Sequence, residues 1–513
     1  MSKTGQTARG VFWNWIALGF GFAVTFFLSP FIVHRLGVVA YGVWGLVVAM
    51  TSYMGLLDLG LRGAVIRFVA RSHALGDHAE SGRAVSGALW LRQWVSLAAI
   101  LFSVVFAFLI NRLFAIPLET QTAAKWAIIL GGTSVATTLY FGVFGGALSA
   151  LHRFDLISEL SIAQTILRAS GVVFVLKNGF GILGLAVWEL AVVLVINLVQ
   201  LWLCFRSYPE LRISLKQPEK TIMKAFAGYS IWVFLVHIFG QVIYYTDNLV
   251  VGAFVSVAAV TFYSIGGSLI EYLRTVVSSL TSTFMPLASN YEASGKLDML
   301  RLLLKQGTRI AILVALPIQV ALFFRGETFI RLWMGEQYGQ VSGRVLQILL
   351  LSQVFTVANS TSINIVFGLA KHKRFAIMLA GEAVANFTIS IILARRIGIY
   401  GVAIGTVIPS LFTQVILWPR YISQVVGVPV LKYMLESWVR PALTVIPFGI
   451  ACFLVERHWP VTRLYNFFLQ IIAILPLYLL TVVVSFRRDL TEILQGRWKW
   501  LPRMSATPKP GGI

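Results

Sequence analysis

Five polar side chains, His237, Gln241, Tyr244, Tyr245 and Asn248, recur at helical spacing inside an otherwise apolar stretch. At 100° per residue they occupy a band ~100° wide. Such a band of donors and acceptors suits either the wall of a hydrated cavity, where it could hold the hydroxyls of a sugar, or hydrogen bonding between neighbouring helices. Asp247 points roughly 60° beyond the edge of the band, as a cation or proton site or as a residue near the outer interface, and the wheel favours the interface. A second group, Ser161, Gln164, Thr165 and Arg168, shares one side of another apolar stretch. Arg168 lies about eleven residues, or ~16 Å, from its start. A lone guanidinium at that depth is costly. Either an anion such as a phosphate meets it in a wet cavity, or Glu189 of the next stretch neutralises it.

Other polar residues in apolar surroundings carry weaker signals. Glu271 and Arg274, at i,i+3, are placed to neutralise one another. Glu382 and Asn386 share a helix face. Burial would raise the affinity of Glu382 for a proton and make it a candidate for ion coupling, together with Asp247 and Glu189. Asn359, Ser360, Thr361 and Asn364 suggest a broken or hydrated helix. Arg62, Arg67 and Arg71, near Asp58, form a basic rim that could attract anionic headgroups or serve as positive-side anchoring. Cys204 and Cys452 fall in apolar runs and read as small hydrophobic residues. Two glycosylation-like triplets, at Asn359 and Asn386, lie within apolar spans and are discounted. Gly19 and Gly21 lack the strand-to-helix context of a dinucleotide site. There is no nucleophile elbow, zinc motif or Walker motif, so no catalytic residue, metal or cofactor is expected.

The elements that must position these groups are transmembrane helices. Of 513 residues, 58% are hydrophobic and 12% charged, against about a quarter charged in a soluble domain, and mean hydropathy is +0.81. About 20 apolar residues span the hydrocarbon core. The chain divides into spans at 11–33, 41–61, 84–110, 124–148, 157–176, 181–205, 228–252, 258–286, 308–328, 344–369, 375–394, 400–419, 438–456 and 464–486. The first is too long for a signal-peptide core and no small-x-small site follows it, so it reads as an uncleaved helix. With the N-terminus inside, 29 of the 42 Lys and Arg fall in inside segments and 11 outside, leaving Arg168 and Arg274 within spans. This bias places both termini in the cytoplasm. The net charge of +22 is spread over eight cytoplasmic segments rather than gathered in one patch, which excludes a nucleic-acid partner.

A repeat organises the spans. Arg153-Phe154 and Arg374-Phe375 are offset by 221 residues, Gly181-Ile182-Leu183-Gly184-Leu185-Ala186 and Gly398-Ile399-Tyr400-Gly401-Val402-Ala403 by 217, and Val38-Val39-Ala40-Tyr41 and Val257-Ala258-Ala259-Val260 by 219. The offset corresponds to six spans, an even number, so both copies share one topology. The expected architecture is an all-α polytopic membrane protein of about 14 transmembrane helices. It comprises an N-lobe at 1–205, a cytoplasmic linker at 206–226, a C-lobe at 227–420, an appended pair at 421–486 and a basic cytoplasmic tail at 487–513. Two matched lobes can enclose a cavity that opens to either side.

His34-Arg35-Leu36-Gly37 through Tyr41-Gly42-Val43-Trp44, then Asp58-Leu59-Gly60-Leu61 with Arg67 and Arg71, resemble the polysaccharide transporter family, the Wzx-type O-antigen and exopolysaccharide flippases. Thr246-Asp247-Asn248 and Val250-Val251-Gly252 add to the likeness, which covers residues 5–485. The resemblance implies a two-lobed bundle in the bacterial inner membrane. It also implies a polyprenyl-pyrophosphate-linked oligosaccharide as cargo, an ion gradient as driving force, and contacts with membrane lipids and other polysaccharide assembly proteins. Arg168 and the stripe from His237 to Asn248 are the positions that would fit a cationic cavity. A multidrug exporter of the same superfamily is the nearest competitor, but the first span has no Asp or Glu to couple ions. A lipid II flippase would look alike in sequence. A membrane glycosyltransferase or polymerase is disfavoured by outside connections of only about 15 residues, too short for a catalytic domain.

Overall fold

The structure, a computed structural model, describes residues 3–58, 61–214 and 231–487. Most of the segment expected to be a linker, from residue 215 on, and the basic tail beyond Arg487 lie outside the described residues. The described residues are almost entirely helical and contain no strand. In chain order the helices are α1 (Lys3–Met54), α2 (Leu61–Ala74), α3 (His78–Leu113), α4 (Leu118–Ala150), α5 (Phe154–Lys177), α6 (Gly181–Ser207), α7 (Ile231–Phe254), α8 (Val257–Thr281), α9 (Phe284–Ala293), α10 (Leu297–Met334), α11 (Glu336–Gly368) and α12 (Lys373–Ile397). Three more follow: α13 (Ile399–Val426), α14 (Val430–His458) and α15 (Leu464–Ser485).

Twelve segments among the described residues are long and apolar enough to cross a membrane. The first, Ile16–Ala74, is 59 residues long, or roughly 88 Å at 1.5 Å per residue, far more than one bilayer needs. It is broken at Gly37, whose φ of 77° and ψ of 170° are open to glycine and strained for a residue with a Cβ. Beyond the break the helix runs to Met54 and tightens into a 3-10 turn at Gly55–Asp58, so the second expected span ends earlier than residue 61. Helix α8 has 25 residues but carries Glu271, Arg274, Ser278, Ser279 and Thr281, which dilute its apolar character.

Local chemistry sets several boundaries. The Asp77 carboxylate accepts from the Glu80 N–H at 2.7 Å and caps α3. Helices α13 and α14 each widen into a π turn, at Phe412–Leu417 and Leu435–Val439. Pro419 and Pro441 follow those turns and have no N–H to continue the i→i−4 ladder. Instead the Trp418 N–H donates to the Thr413 carbonyl and the Arg440 N–H to the Leu435 carbonyl, five residues back.

The ends of α4 and α11 share one motif. The Arg153 N–H donates to Leu148 O at 3.0 Å across left-handed His152. The Lys371 N–H donates to Val366 O at 3.0 Å across left-handed Ala370, 218 residues later. This is the 6→1 bond of a Schellman cap, built twice without the usual glycine. Gly181 and Gly398, at the starts of α6 and α13, also share a positive φ, 57° and 62°.

The chain forms two compact units. The first holds 1–267, 333–345 and 376–406, and within it α4 is the central helix. Its glycines admit close neighbours: a Cβ at Gly142 would come within 2.8 Å of the Arg92 guanidinium, and one at Gly145 within 3.0 Å of Gln200. Small residues are how helices approach closely where lipid removes the hydrophobic drive to associate. Val65, Val69, Val85, Leu89, Phe144 and Leu148 form part of the core between α2, α3 and α4. The second unit holds 268–332, 346–375 and 407–513. There Lys305 pairs with Glu436 at 2.7 Å, and Arg325 with Glu456 at 2.9 Å, tying two levels of α10 to α14.

Candidate functional site

The first unit contains a cavity of about 400 Å³ walled by α1, α4, α5 and α6. The stretch of α1 after the Gly37 break presents Trp44, Val47, Val48 and Thr51 to it, at i, i+3, i+4 and i+7, one face of a helix. Helix α4 presents Ala127, Gly131 and Ser134. The charged lining residues are Arg168 of α5 and Glu189 of α6. Their contact is bidentate: the Arg168 Nε donates to Glu189 Oε2 at 2.8 Å and Nη2 donates to Oε1. Arg168 is thus paired with Glu189, the second of its two readings, and the pair faces a cavity. The pair is not sealed, the two side chains being 48% and 27% exposed. Trp188 steadies the α5–α6 contact. Its Nε1 donates to the Leu167 carbonyl at 3.0 Å, and its ring occupies the space that a Cβ at Gly171 would need.

The α7 stripe does not line this cavity. His237 is exposed, and Gln241, Tyr244, Tyr245 and Asn248 are half-buried. Tyr245 meets the Tyr53 ring of α1 edge to face, with centroids 6.3 Å apart. Asn248 Oδ1 accepts from the Ser264 hydroxyl at 3.3 Å. The stripe therefore serves in part as interhelical hydrogen bonding.

Asp247 is buried, 4% exposed, among partners from other helices that a single-helix wheel does not show. The Tyr263 hydroxyl of α8 donates to its Oδ2 at 2.5 Å and the Thr406 hydroxyl of α13 at 2.8 Å. Asn386 Nδ2 of α12 donates to Thr406 Oγ1 at 2.9 Å. Glu382, also buried, stands one turn before Asn386 on the same helix. Four helices thus bring Asp247, Tyr263, Thr406 and Asn386 into one buried polar network, with Glu382 on the face that serves it.

The remaining candidates are placed as follows. Arg67 and Arg71 of α2 are exposed; the Arg62 side chain lies outside the described residues. Glu271 and Arg274 form an ion pair at 3.8 Å. Helix α11 is unbroken through Asn359 and Asn364. Asn359 is buried and donates to the side chain and carbonyl of Gln414, inside the α13 π turn, at 3.0 and 2.9 Å. Of the broken or hydrated helix expected there, the break is not found, and Asn359 is held by Gln414.

Two pairings had no counterpart in the sequence. Arg92, only 2% exposed, pairs with Asp58 and donates to the Leu139 carbonyl. Its i,i+4 spacing to Ser96 gives no hint of this; the available signal was Asp58, an acid at a helix end that needs a partner. Tyr53 Oη lies 2.6 Å from Thr246 Oγ1, joining α1 to the residue beside Asp247.

Residues 32–343 match the polysaccharide biosynthesis protein family. The membrane protein EpsK of Bacillus subtilis (strain 168) is 22% identical over 419 residues, 78% of this chain and 80% of that protein. A Shigella flexneri protein named as an O-antigen transporter is 22% identical over 395 residues, 75% of this chain and 91% of its own length. In fold, the chain is similar to the lipid II flippase MurJ in an inward closed conformation, with a TM-score of 0.72 and 16% identity over 93% of this chain and 99% of that one.

Proposed function

Because the chain belongs to the polysaccharide biosynthesis protein family, we propose that it is a flippase moving a polyprenyl-pyrophosphate-linked oligosaccharide across the bacterial inner membrane. The fold, that of a multi-pass membrane transporter, supports this class of activity. The observation that carries the reading is the Arg168–Glu189 pair open to a cavity. An unpaired Arg at the centre of a membrane helix costs about 3 kcal/mol. Glu189 supplies the countercharge until an anionic headgroup brings its own. A pyrophosphate offers several oxygens to the same planar fork, so it competes for Arg168 in the geometry that Glu189 uses. Thr25, Ser29, Thr51 and Ser134 add hydroxyls to the lining. The lipid tail stays in the bilayer while the headgroup crosses.

Movement is driven by an ion gradient. Asp247 and Glu382 are the principal coupling carboxylates, and Glu189 becomes a third when it leaves Arg168. A buried acid held by neutral hydroxyls, as Asp247 is by Tyr263 and Thr406, can exchange a proton or a small cation at modest structural cost. The N-lobe, C-lobe and appended pair provide the moving parts. The Schellman caps at His152 and Ala370 and the positive-φ glycines at 181 and 398 support the six-helix repeat. Counting α1 as two spans about Gly37 and adding α8 gives fourteen crossings. The Lys/Arg bias supports cytoplasmic termini.

The test is depletion of the protein in its own host, followed by mass spectrometry of extracted lipids. A polyprenyl-pyrophosphate oligosaccharide accumulating in the cytoplasmic leaflet is the expected result. Unchanged lipids together with new sensitivity to cationic dyes would replace the flippase with a drug exporter.

A further inference from the structure

The part of α1 between Gly37 and Asp58 has two working faces. One is the cavity wall already described: Trp44, Val47, Val48 and Thr51. The other is a seam with α7 and α8. The Val38 carbonyl accepts from the Thr261 hydroxyl at 2.6 Å. A Cβ at Gly42 would collide with the Val257 carbonyl, and one at Gly45 would come within 3.1 Å of Val260. Leu46 packs on Gly252. Tyr53 closes the seam through Thr246 and the Tyr245 ring. Seam positions 38, 42, 45 and 53 recur at helical spacing, as do cavity positions 44, 47, 48 and 51. The segment is also bounded at both ends. Gly37 breaks it from the preceding helix, and the 3-10 turn at its far end is held through Asp58 by Arg92. A short helix with a break at one end and a fastened turn at the other moves as one piece.

Along this seam Tyr53 is distinctive because its hydroxyl reaches a side chain adjacent to the Asp247 network. Any shift of α7 that accompanies a change at Asp247 moves Thr246 with it. Thr246 is held by Tyr53, which lies two residues from Thr51 on the cavity wall. We infer that Tyr53 is the positioning residue that couples the buried carboxylate network to the anion cavity, by holding the α1 segment to Thr246. The inference rests on the flippase reading, because it needs Arg168 to bind an anion and Asp247 to answer to an ion. It adds a route between the two sites, and a route of this kind must act in both directions. The contact is small and polar, so its removal separates the sites without dismantling either one. The Tyr53 hydroxyl bonds to Thr246, not to Arg168 or Asp247, in this geometry.

The experiment uses the full chain, purified in detergent, with inorganic pyrophosphate as the probe. Its dissociation constant is measured by calorimetry across a series of pH values and of sodium concentrations. In the native protein the affinity should change by about tenfold across one of the two series, the scale of ordinary coupling between sites. Tyr53→Phe, which deletes the hydroxyl and keeps the ring, should still bind pyrophosphate and should reduce that dependence severalfold, to what Glu189 and the ionisation of pyrophosphate itself leave. Thr246→Val removes the other partner and should behave alike, and the double variant should add nothing to either. If Tyr53→Phe and Thr246→Val retain the native dependence, the coupling role is wrong and the flippase reading stands. Native affinity that responds to neither pH nor sodium also overturns the coupling. Pyrophosphate binding that Arg168→Gln leaves unaltered removes the anion site itself, and the flippase reading loses its main support. A structural role alone for Tyr53 would appear as weaker binding at every pH and sodium concentration with the dependence intact, and that too would overturn the proposal.

Discussion

Arg168 with Glu189, and Arg325 with Glu456, are both arginine–glutamate pairs in apolar helices, and they differ in the burial of the arginine rather than of the glutamate. Arg168 is 48% exposed and faces a cavity, and its bonds in the structure go to the Glu189 carboxylate. Arg325 is 0% exposed. It donates to Glu456 at 2.9 Å and to Gln470 Oε1 at 2.6 Å, and its guanidinium lies 4.7 Å from the centre of the Phe467 ring. Glu456 accepts a further bond from Thr328. These contacts come from α10, α14 and α15, so the cluster fastens the last two helices to α10. A half-exposed pair contributes little and can be exchanged, whereas removing one partner from a pair whose guanidinium is fully buried is expensive. The same chemistry thus yields a replaceable countercharge in one place and a fixed joint in the other.

The comparison is easiest to break at the buried joint. Arg325→Ala leaves Glu456 without its partner inside the helices, and should destabilise the fold by about 3–5 kcal/mol. Thermal unfolding in detergent would show it as a large drop in Tm, and a native Tm would mean that the joint holds nothing. The opposite pattern is expected at the cavity. Arg168→Gln should unfold within about 1 kcal/mol of the native protein. It should lose ten- to a hundredfold in pyrophosphate affinity, the worth of about 1.5–3 kcal/mol of charged hydrogen bonding. Native transport with that variant would take Arg168 out of the mechanism. The smallest effect sharpens the contrast. Glu189→Gln removes the competitor for Arg168 and should tighten pyrophosphate binding by about fivefold, if the pair is worth roughly 1 kcal/mol. Weaker binding would show instead that Glu189 orients the guanidinium for its ligand.

Much of the fold was legible because membrane helices advertise themselves locally. The apolar runs, the polar residues interrupting them and the Lys/Arg bias are read within about 20 residues. Arg168 and Glu189 were also legible as partners, since they lie 21 residues apart on consecutive spans joined by a short turn. Asp247 was not. A helical wheel placed it off the polar band, yet its donors come from Tyr263 on α8 and Thr406 on α13, which no wheel of α7 contains. Arg325 shows the same limit. It lies near the end of the 308–328 span, while its carboxylate partner is 131 residues away. Arg92 likewise pairs outside its own helix, with Asp58, and Gly142 on α4 leaves the room that lets it lie buried against Leu139.

What the amino-acid order determined by itself is that this chain is a bundle of membrane-spanning helices with a few polar groups held in the apolar layer, because hydropathy and helical period act over one or two turns. Tertiary structure alone decided which of those polar groups are joints, which face a cavity, and which of them share a helix with both. The reason is energetic. A charge in an apolar layer takes its cost from whatever group is packed beside it, and for Asp247, Arg92 and Arg325 that neighbour arrives from another helix.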